Sequence, residues 1–456
     1  MSTKNKSGII SSTIFHSVLI LLICVIFFNA SPVKSAESPT VYWGAYINGG
    51  HYGTKPDGSA YKDAPYGIDT WDKFELNAGK KISVLQFGMP FKVGTFAGNF
   101  PTSDMEKIRQ RGAIPFIGWG SWEVGTGKGV YQPEYKLTNI TRGDFDPYIR
   151  KFAQDAKAWG KPFFLNLNHE QNLTGQFPWQ YGAPITDPVT GASYTNTAQD
   201  FVDSWRHVHD IFSQEGVTNV TWVWVPNIYY ISGSTAKPFM PSYPGDAYTD
   251  WVGFNGFNHA NGANNKWDTF TELFDDSYKV ITGARPDISP GAPTKPIMIM
   301  ATASNEASGI SGDNGAMKAA WIRDAFQVQI PQNYPKIKGV MWFNWNSRTE
   351  NIVIESSQAA QSAFQQSIAS SYYAANNFAS SSGKINPLFV SPSSIPSPTP
   401  AIKPGDVDGN GTVDIFDYSL ILSDFGKSGS NLPSNLDKIG GVDIFDYTIV
   451  LTNFGK

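Results

Sequence analysis

Eight short apolar runs punctuate the long N-terminal part of the chain, each the length of one strand and too unbroken for a strand with a wet face. They are VYWGAYI from Val41, ISVLQFG from Ile82, AIPFIGW from Ala113, PFFLNLN from Pro162, NVTWVWV from Asn219, WVGFNG from Trp251, KPIMIM from Lys295 and IKGVMWFN from Ile337. Runs of this kind suit strands buried on both faces. Helical patterning fills the spaces between them. Ile149, Phe152, Ala153, Ala156 and Trp159 fall on one stripe, Asp144 stands at the expected N-cap, and Gly160 can end the helix. Eight strand-and-helix units predict an α/β fold, a (β/α)8 TIM barrel, with functional groups at the carboxyl ends of the strands. A doubly wound open sheet is the alternative, but no Gly-rich phosphate loop follows the first strand.

The pattern breaks at SSSGKINPLFVSPSSIPSPTPAIKP, residues 380–404, where Pro and Ser crowd into what reads as an extended linker. Beyond it an internal repeat stands out, VDIFDYSLILSDFGK from Val413 and VDIFDYTIVLTNFGK from Val442, each copy following an acidic, Gly-containing loop. At the other end, Lys4 and Lys6 precede an apolar run from Ile14 to Phe28 and a small-residue exit at Ser35 and Ala36. This predicts a secretory signal peptide over residues 1–36; the length of the run leaves an uncleaved membrane anchor as the alternative. The expected organisation is therefore signal peptide 1–36, barrel 37–379, linker 380–404 and a small helical module 405–456. Cys24, the only cysteine, lies inside the signal, so the mature chain is expected to carry no thiol or disulfide.

Composition narrows the function class. Aromatics make up 14% of the chain, with 14 Trp, while charged residues are 16% and the formal net charge is -4. Nothing here offers a basic surface to nucleic acid, and no membrane association is expected once the signal is removed. Abundant Trp and Tyr suit stacking on sugar rings as well as core filling. Strand four ends in NLNHEQN, residues 166–172, which puts His169 and Glu170 at a barrel strand end with Asn172, Phe177 and Trp179 close behind. A zinc protease helix would need a second His four residues after His169, where Leu173 stands. Glu170 is the candidate general acid/base. Trp119, Trp179, Trp224, Trp342 and Trp345 stand near strand ends, and Trp179 and Trp342 are the leading candidates for stacking against sugar.

With these residues in place, the segment from Val41 to Phe378 resembles glycoside hydrolase family 26, secreted β-mannanases and β-glucanases of clan A. HEQN at 169–172, WVWVPN from Trp222, YPGDAYTDWVGFNGFN from Tyr243, KPIMIMATAS from Lys295 and GVMWFNWN from Gly339 carry the resemblance. It implies an endo-acting retaining glycosidase with catalytic carboxylates on strands four and seven, and no cofactor for the hydrolase domain. Glu170 matches the acid/base, while His169, Asn172 and Asn227 match groups around it. The family's Pro-Ile-Met-Ile-Ala-Glu, laid on Pro296 to Ala301, puts its nucleophile at Ala301. Phe257 stands where the family usually has a Tyr facing that nucleophile. Glu306 is the nearest other carboxylate along the chain.

The tail offers a second chemistry. In DVDGNGTVDIFD, Asp406, Asp408, Asn410, Thr412, Asp414 and Asp417 supply oxygens at the positions a Ca2+ loop uses, with Gly411 at the sharp turn. The second loop, NLDKIGGVDIFD, keeps Asp437, Gly441, Asp443 and Asp446 but has Asn435 first and Ile439 fifth, which predicts weaker binding or none. The pair resembles a type I dockerin, an EF-hand-like module whose partner is a cohesin on a scaffold or cell surface. Two functions follow: a secreted endo-β-glycanase acting on β-1,4-mannan or mixed-linkage β-glucan, or a polysaccharide-binding protein tethered through its calcium module. Ala301 discriminates between them, since the enzyme needs a carboxylate there.

Overall fold

In the computed structural model, residues 40–229, 236–260, 266–307, 313–346, 350–388, 404–407, 412–428, 432, 434–436 and 441–455 are described. The signal segment, residues 389–403 of the linker, and the loop residues Asp408, Asn410 and Asp437 lie outside them. The chain divides into two compact units that part between residues 389 and 390, and each is considered by itself.

The large unit is a closed barrel of eight parallel strands: β1 (Val41–Ile47), β2 (Val84–Val93), β3 (Ile114–Val124), β4 (Phe163–Leu167), β5 (Val220–Trp224), β6 (Trp251–Asn258), β7 (Ile297–Ser304) and β8 (Ile337–Asn344). Each pairs with the next in chain order, β8 pairs with β1, and β1 pairs with β2 to close the ring. All eight expected strands are present. Gly44 sits at the seam in register with Val84, where a Cβ would come within 2.0 Å of the Val84 carbonyl oxygen. Only glycine allows the two backbones this approach.

Among the described residues, seven principal helices pack around the barrel: α1 (Ile68–Ala78), α2 (Thr102–Gln110), α3 (Asp146–Trp159), α4 (Ala198–Gln214), α5 (Phe270–Ile281), α6 (Ala316–Arg323) and α7 (Gln358–Ile368). Capping boxes from Thr197 and Thr269 start α4 and α5, each with its hydroxyl accepting from the third helical N–H. The expectation of eight helices needs correction. Between β5 and β6 the described residues hold two short 3-10 turns, Met240–Ser242 and Asp246–Tyr248, in a stretch where Pro238, Pro241 and Pro244 remove the N–H groups a helix requires. The cap of α3 is also displaced. Phe145, not Asp144, is its N-cap, because Pro147 sits in the first turn and Asp144 instead pairs with Arg142; Gly160 ends the helix in the left-handed conformation as expected.

Two apolar layers result. Phe116, Phe164, Val223, Met298 and Met341 point into the barrel, while Trp43, Trp119, Trp222, Trp224 and Trp342 face the helices. The linker expectation is corrected at its start, because residues 380–388 belong to the barrel. Ile385 joins the interior cluster, its N–H donates to Thr221 Oγ1 at 2.8 Å, and its carbonyl accepts from Trp251 Nε1 at 2.9 Å. Tyr42 donates to the Asn386 carbonyl at 2.9 Å. These contacts cover the amino-terminal mouth and leave the carboxyl-terminal mouth for chemistry.

In the small unit the two repeats become α8 (Ile415–Asp424) and α9 (Ile444–Asn453), with Val413, Ile421, Val442 and Val450 between them. The described ends of the two loops are held in the same way. The buried Asp417 carboxylate accepts from the N–H groups of Val407 and Asp414 at 2.6 and 2.8 Å, and buried Asp446 does the same for Leu436 and Asp443 at 2.5 and 2.9 Å.

Candidate active site

A cleft of about 330 Å³ opens at the carboxyl ends of the strands. Tyr46, Gln86, His169, Glu170, Asn255, Phe257, Ala301, Phe343, Trp345 and Glu350 are among its lining residues.

Glu170 owes its place to an unusual turn. After β4 ends at Leu167, Asn168 and Glu170 both take positive φ, 57° and 54°. Asn tolerates this region better than Glu, so the conformation must be held by its surroundings. Asn168 N–H donates to the Trp119 carbonyl at 2.9 Å and its Oδ1 accepts from Ser121 N–H at 2.8 Å, tying the turn to β3. Glu170 N–H donates to the Val225 carbonyl at 2.9 Å, tying it to the end of β5. Glu170 is 9% exposed, and its carboxylate accepts at Oε1 from Asn227 Nδ2 at 3.1 Å and Asn255 Nδ2 at 3.0 Å. Two amide donors on one oxygen fix the direction of the other.

Asn172 takes no part in the cleft lining. Fully buried, it donates to the carbonyls of Asn227 and Lys237 at 2.9 and 3.0 Å and accepts from Asn227 N–H at 2.8 Å. It thereby positions Asn227, which in turn holds Glu170. His169 lines the cleft beside its neighbour, and burial pushes its imidazole pKa below the ordinary value against the opposing pull of Glu170. Its Nδ1 is buried without a protein partner. A neutral imidazole here can exchange hydrogen bonds with a ligand hydroxyl.

Trp179 and Trp342 are not brought to the cleft surface. Trp179, 1% exposed, stacks under Phe177 with centroids 4.5 Å apart and donates from Nε1 to the His169 carbonyl at 2.7 Å. Trp342, also 1% exposed, points to the helix side of β8 against Phe364 and donates to the Ile352 carbonyl at 2.9 Å. Trp119 and Trp224 are in the same outer layer. The aromatic surface of the cleft is instead Phe177 on one side and Tyr46, Phe257, Phe343 and Trp345 on the other, with Tyr46 and Phe343 stacked at 4.7 Å.

Ala301 lines the cleft from β7, in register with Asn255 on β6. The pairing of β7 with both neighbours shifts register just before this point, which lets Met300 and Ala301 both reach the mouth. Phe257 lies two residues beyond Asn255 on the same strand and presents no hydroxyl. Glu306 is outside the cleft lining, where Ser356 donates to its carboxylate. The strand patterns gave no sign of two polar lining groups, His259 and Glu350, whose Nδ1 and Oε1 are 2.5 Å apart across a sequence separation of 91.

In the small unit, Asp406, Thr412, Asp414 and Asp417 belong to the first loop and Gly441, Asp443 and Asp446 to the second; among the described residues no three His, Cys, Asp or Glu side chains converge as a metal site, the remaining loop residues lying outside them. All the side-chain donors are oxygens, which suits a hard cation.

No family model matches the chain. Endoglucanase H of Acetivibrio thermocellus is 29% identical over 322 residues, covering 70% of this chain but only 30% of that protein, so the chain spans less than a third of its relative. Among solved structures, the catalytic domain of a GH26 endo-β-1,4-mannanase from Bacillus sp. JAMB-750 has a TM-score of 0.53 at 16% identity, covering 76% of this chain and 91% of that one. A GH26 β-mannanase from Bacteroides ovatus matches with a TM-score of 0.48 at 14% identity, over 74% and 90% of the two chains. The large unit, with its eight parallel barrel strands, shares the fold of the Bacillus GH26 endo-β-1,4-mannanase, and the chain is related in sequence to an endoglucanase.

Proposed function

We propose that this chain is a secreted, family 26-type β-glycan protein whose barrel binds a β-linked polysaccharide across Glu170. In this reading it does not cleave by the family's double displacement. The observation that carries this is that Glu170 and Ala301 line one cleft, the first held by two amides and the second ending in a methyl group. Retaining hydrolysis needs an acid and a nucleophilic carboxylate about 5 to 5.5 Å apart; a methyl group cannot form the glycosyl-enzyme. Glu170 contributes proton donation to the glycosidic oxygen, His169 and Asn255 contact hydroxyls, and Phe177, Phe257, Phe343 and Trp345 give the rings apolar faces. The sequence relationship to an endoglucanase favours β-glucan over mannan as the ligand.

The small unit supports a tether. Asp406, Thr412, Asp414 and Asp417, with Asp408 and Asn410, would hold one Ca2+, and Asp437, Gly441, Asp443 and Asp446 a weaker second. A bound ion would offset the negative charge of that loop's carboxylates. Ile415, Leu422, Ile444 and Phe445 are each more than half exposed or nearly so, at 56%, 50%, 57% and 66%. Exposed apolar side chains on both helices suit a protein partner of cohesin type.

Binding of mixed-linkage β-glucan, mannan and xylan by this chain, and reducing-sugar release by it and by Ala301→Glu, test the barrel reading. Binding of glucan by both, with rapid retaining cleavage only by Ala301→Glu, is expected. Rapid retaining cleavage by the unaltered chain would overturn the assignment of Ala301.

A further inference from the structure

Two carboxylates line the cleft, and one of them has no role in the reading above. Glu350 follows β8, which ends at Asn344, and its partner His259 follows β6, which ends at Asn258. β7 runs between those strands. The contact of His259 Nδ1 with Glu350 Oε1 at 2.5 Å therefore bridges the carboxyl end of the strand that carries Ala301. Glu350 is 18% exposed at its side chain, and both residues line the same cleft as Glu170.

Both carboxylates line one cleft, and that of Glu350 is held over the carboxyl end of β7 by His259. Single-displacement glycosidases hold a water between the base and the sugar. Their two carboxyl groups lie about 6.5 to 9.5 Å apart, leaving room for it. At Ala301 only a methyl group stands at the cleft wall below the bridge, so a water could stand where a longer side chain would exclude it.

We propose that Glu350, oriented by His259, is the general base of a slow inverting cleavage of bound β-glucan, resting on the reading of Glu170 as proton donor. Glu350 takes a proton from water as the water oxygen bonds to the anomeric carbon. The bond from that carbon to the glycosidic oxygen breaks, and the leaving oxygen takes the proton of Glu170. The hydroxyl so installed lies on the face opposite the departing group, so a β-linkage yields an α-anomer. Glu350 then loses its proton to solvent and Glu170 regains one. Glu350 is the catalytic residue in this step and His259 a positioning residue.

The test follows proton NMR of the anomeric signals while the full chain acts on mixed-linkage β-glucan, beside Glu350→Gln and His259→Asn, with calorimetric affinity for a β-glucan oligosaccharide measured on all three. Slow release of α-anomer is expected. Loss of a general base costs about 100-fold or more in rate, so Glu350→Gln should lower kcat by that factor with affinity held within about two-fold. His259→Asn should lower kcat by about ten-fold with KM and the melting midpoint unchanged, a split that a purely structural pair would not produce. Release of β-anomer, or a rate indifferent to Glu350→Gln, would overturn the proposal. Oligosaccharide binding with no hydrolysis would overturn it while leaving the binding function intact, whereas absence of glucan binding would remove both.

Discussion

Asn255 donates from Nδ2 to Oε1 of Glu170 at 3.0 Å, and the same residue lies in register beside Ala301 on the next strand. One amide thus touches the acid and adjoins the place where a nucleophile would stand. In the Ala301→Glu background, Asn255→Ala leaves Glu170 with Asn227 as its only side-chain donor among the described residues. Misplacing a reacting group by about 1 Å can cost about 100-fold, so kcat for glucan hydrolysis should fall by ten- to a hundred-fold. A kcat in that double variant equal to that of Ala301→Glu alone would show that Asn227 suffices.

Trp342 and Trp345, three residues apart, should behave oppositely. Trp342→Ala removes a fully buried side chain from the layer between β8 and the helices, which costs about 3 to 5 kcal/mol. Urea unfolding should show that loss, with glucan affinity per folded molecule preserved. Trp345→Ala trims a partly buried cleft residue. Glucan affinity should drop by about ten-fold, about 1.4 kcal/mol, with little change in the unfolding midpoint. Reversed results would return Trp342 to the list of sugar contacts.

Lys318 ties the loop behind the cleft to α6. Fully buried, its Nζ donates to the carbonyls of Asn351 and Val353 at 3.1 and 2.8 Å and to Ser356 Oγ at 2.8 Å. Burial lowers its pKa to about 7, against the opposing pull of Glu306 and Glu355. Between that pH and the ordinary lysine range, the unfolded chain binds a proton that the folded chain does not. Stability must therefore rise with pH through this window, by at most about 1.4 kcal/mol per pH unit. Chemical denaturation at pH 6.5, 7.5 and 8.5 should show wild type gaining on Lys318→Met, which cannot titrate. A constant difference would mean that the lysine stays charged throughout.

Chelation should separate the two units. The buried carboxylates of Asp417 and Asp446 accept backbone hydrogen bonds from the two repeat loops, and Ca2+, if bound, would neutralise the acidic side chains of the first. Calorimetry with and without chelator is expected to lower the melting transition of the 405–456 module and leave that of the barrel in place. Asp414→Ala should abolish the tighter calcium binding, while Asp443→Ala should affect only a weaker site. Equal loss from both variants would contradict the ranking made from Ile439.

Much of the barrel was legible because each strand is a local event. A run such as PFFLNLN is buried on both faces whatever its neighbours do, and the residues after it must fall at a strand end. Glu170 could be placed on that argument. The same property hid the direction of the tryptophans. In a strand apolar on both sides, alternation carries no label for inside and outside, so Trp342 and Trp179 looked as available to sugar as Trp345. The start of the linker was misread for a related reason: Ile385 and Leu388 sit in a polar, Ser-rich stretch, and only the open lower mouth of the barrel gives them something to cover.

The sequence by itself determined the strand count, the carboxylate at the end of β4, the alanine on β7 and the duplicated loops with their Asp417 and Asp446, since each rests on residues close together in the chain. The tertiary structure alone decided which aromatics face the cleft, how Asn172 reaches Glu170 through Asn227, and that His259 meets Glu350 over the end of β7. Those relationships join loops 55 or 91 residues apart. Ring closure sets such distances, and no local pattern records them.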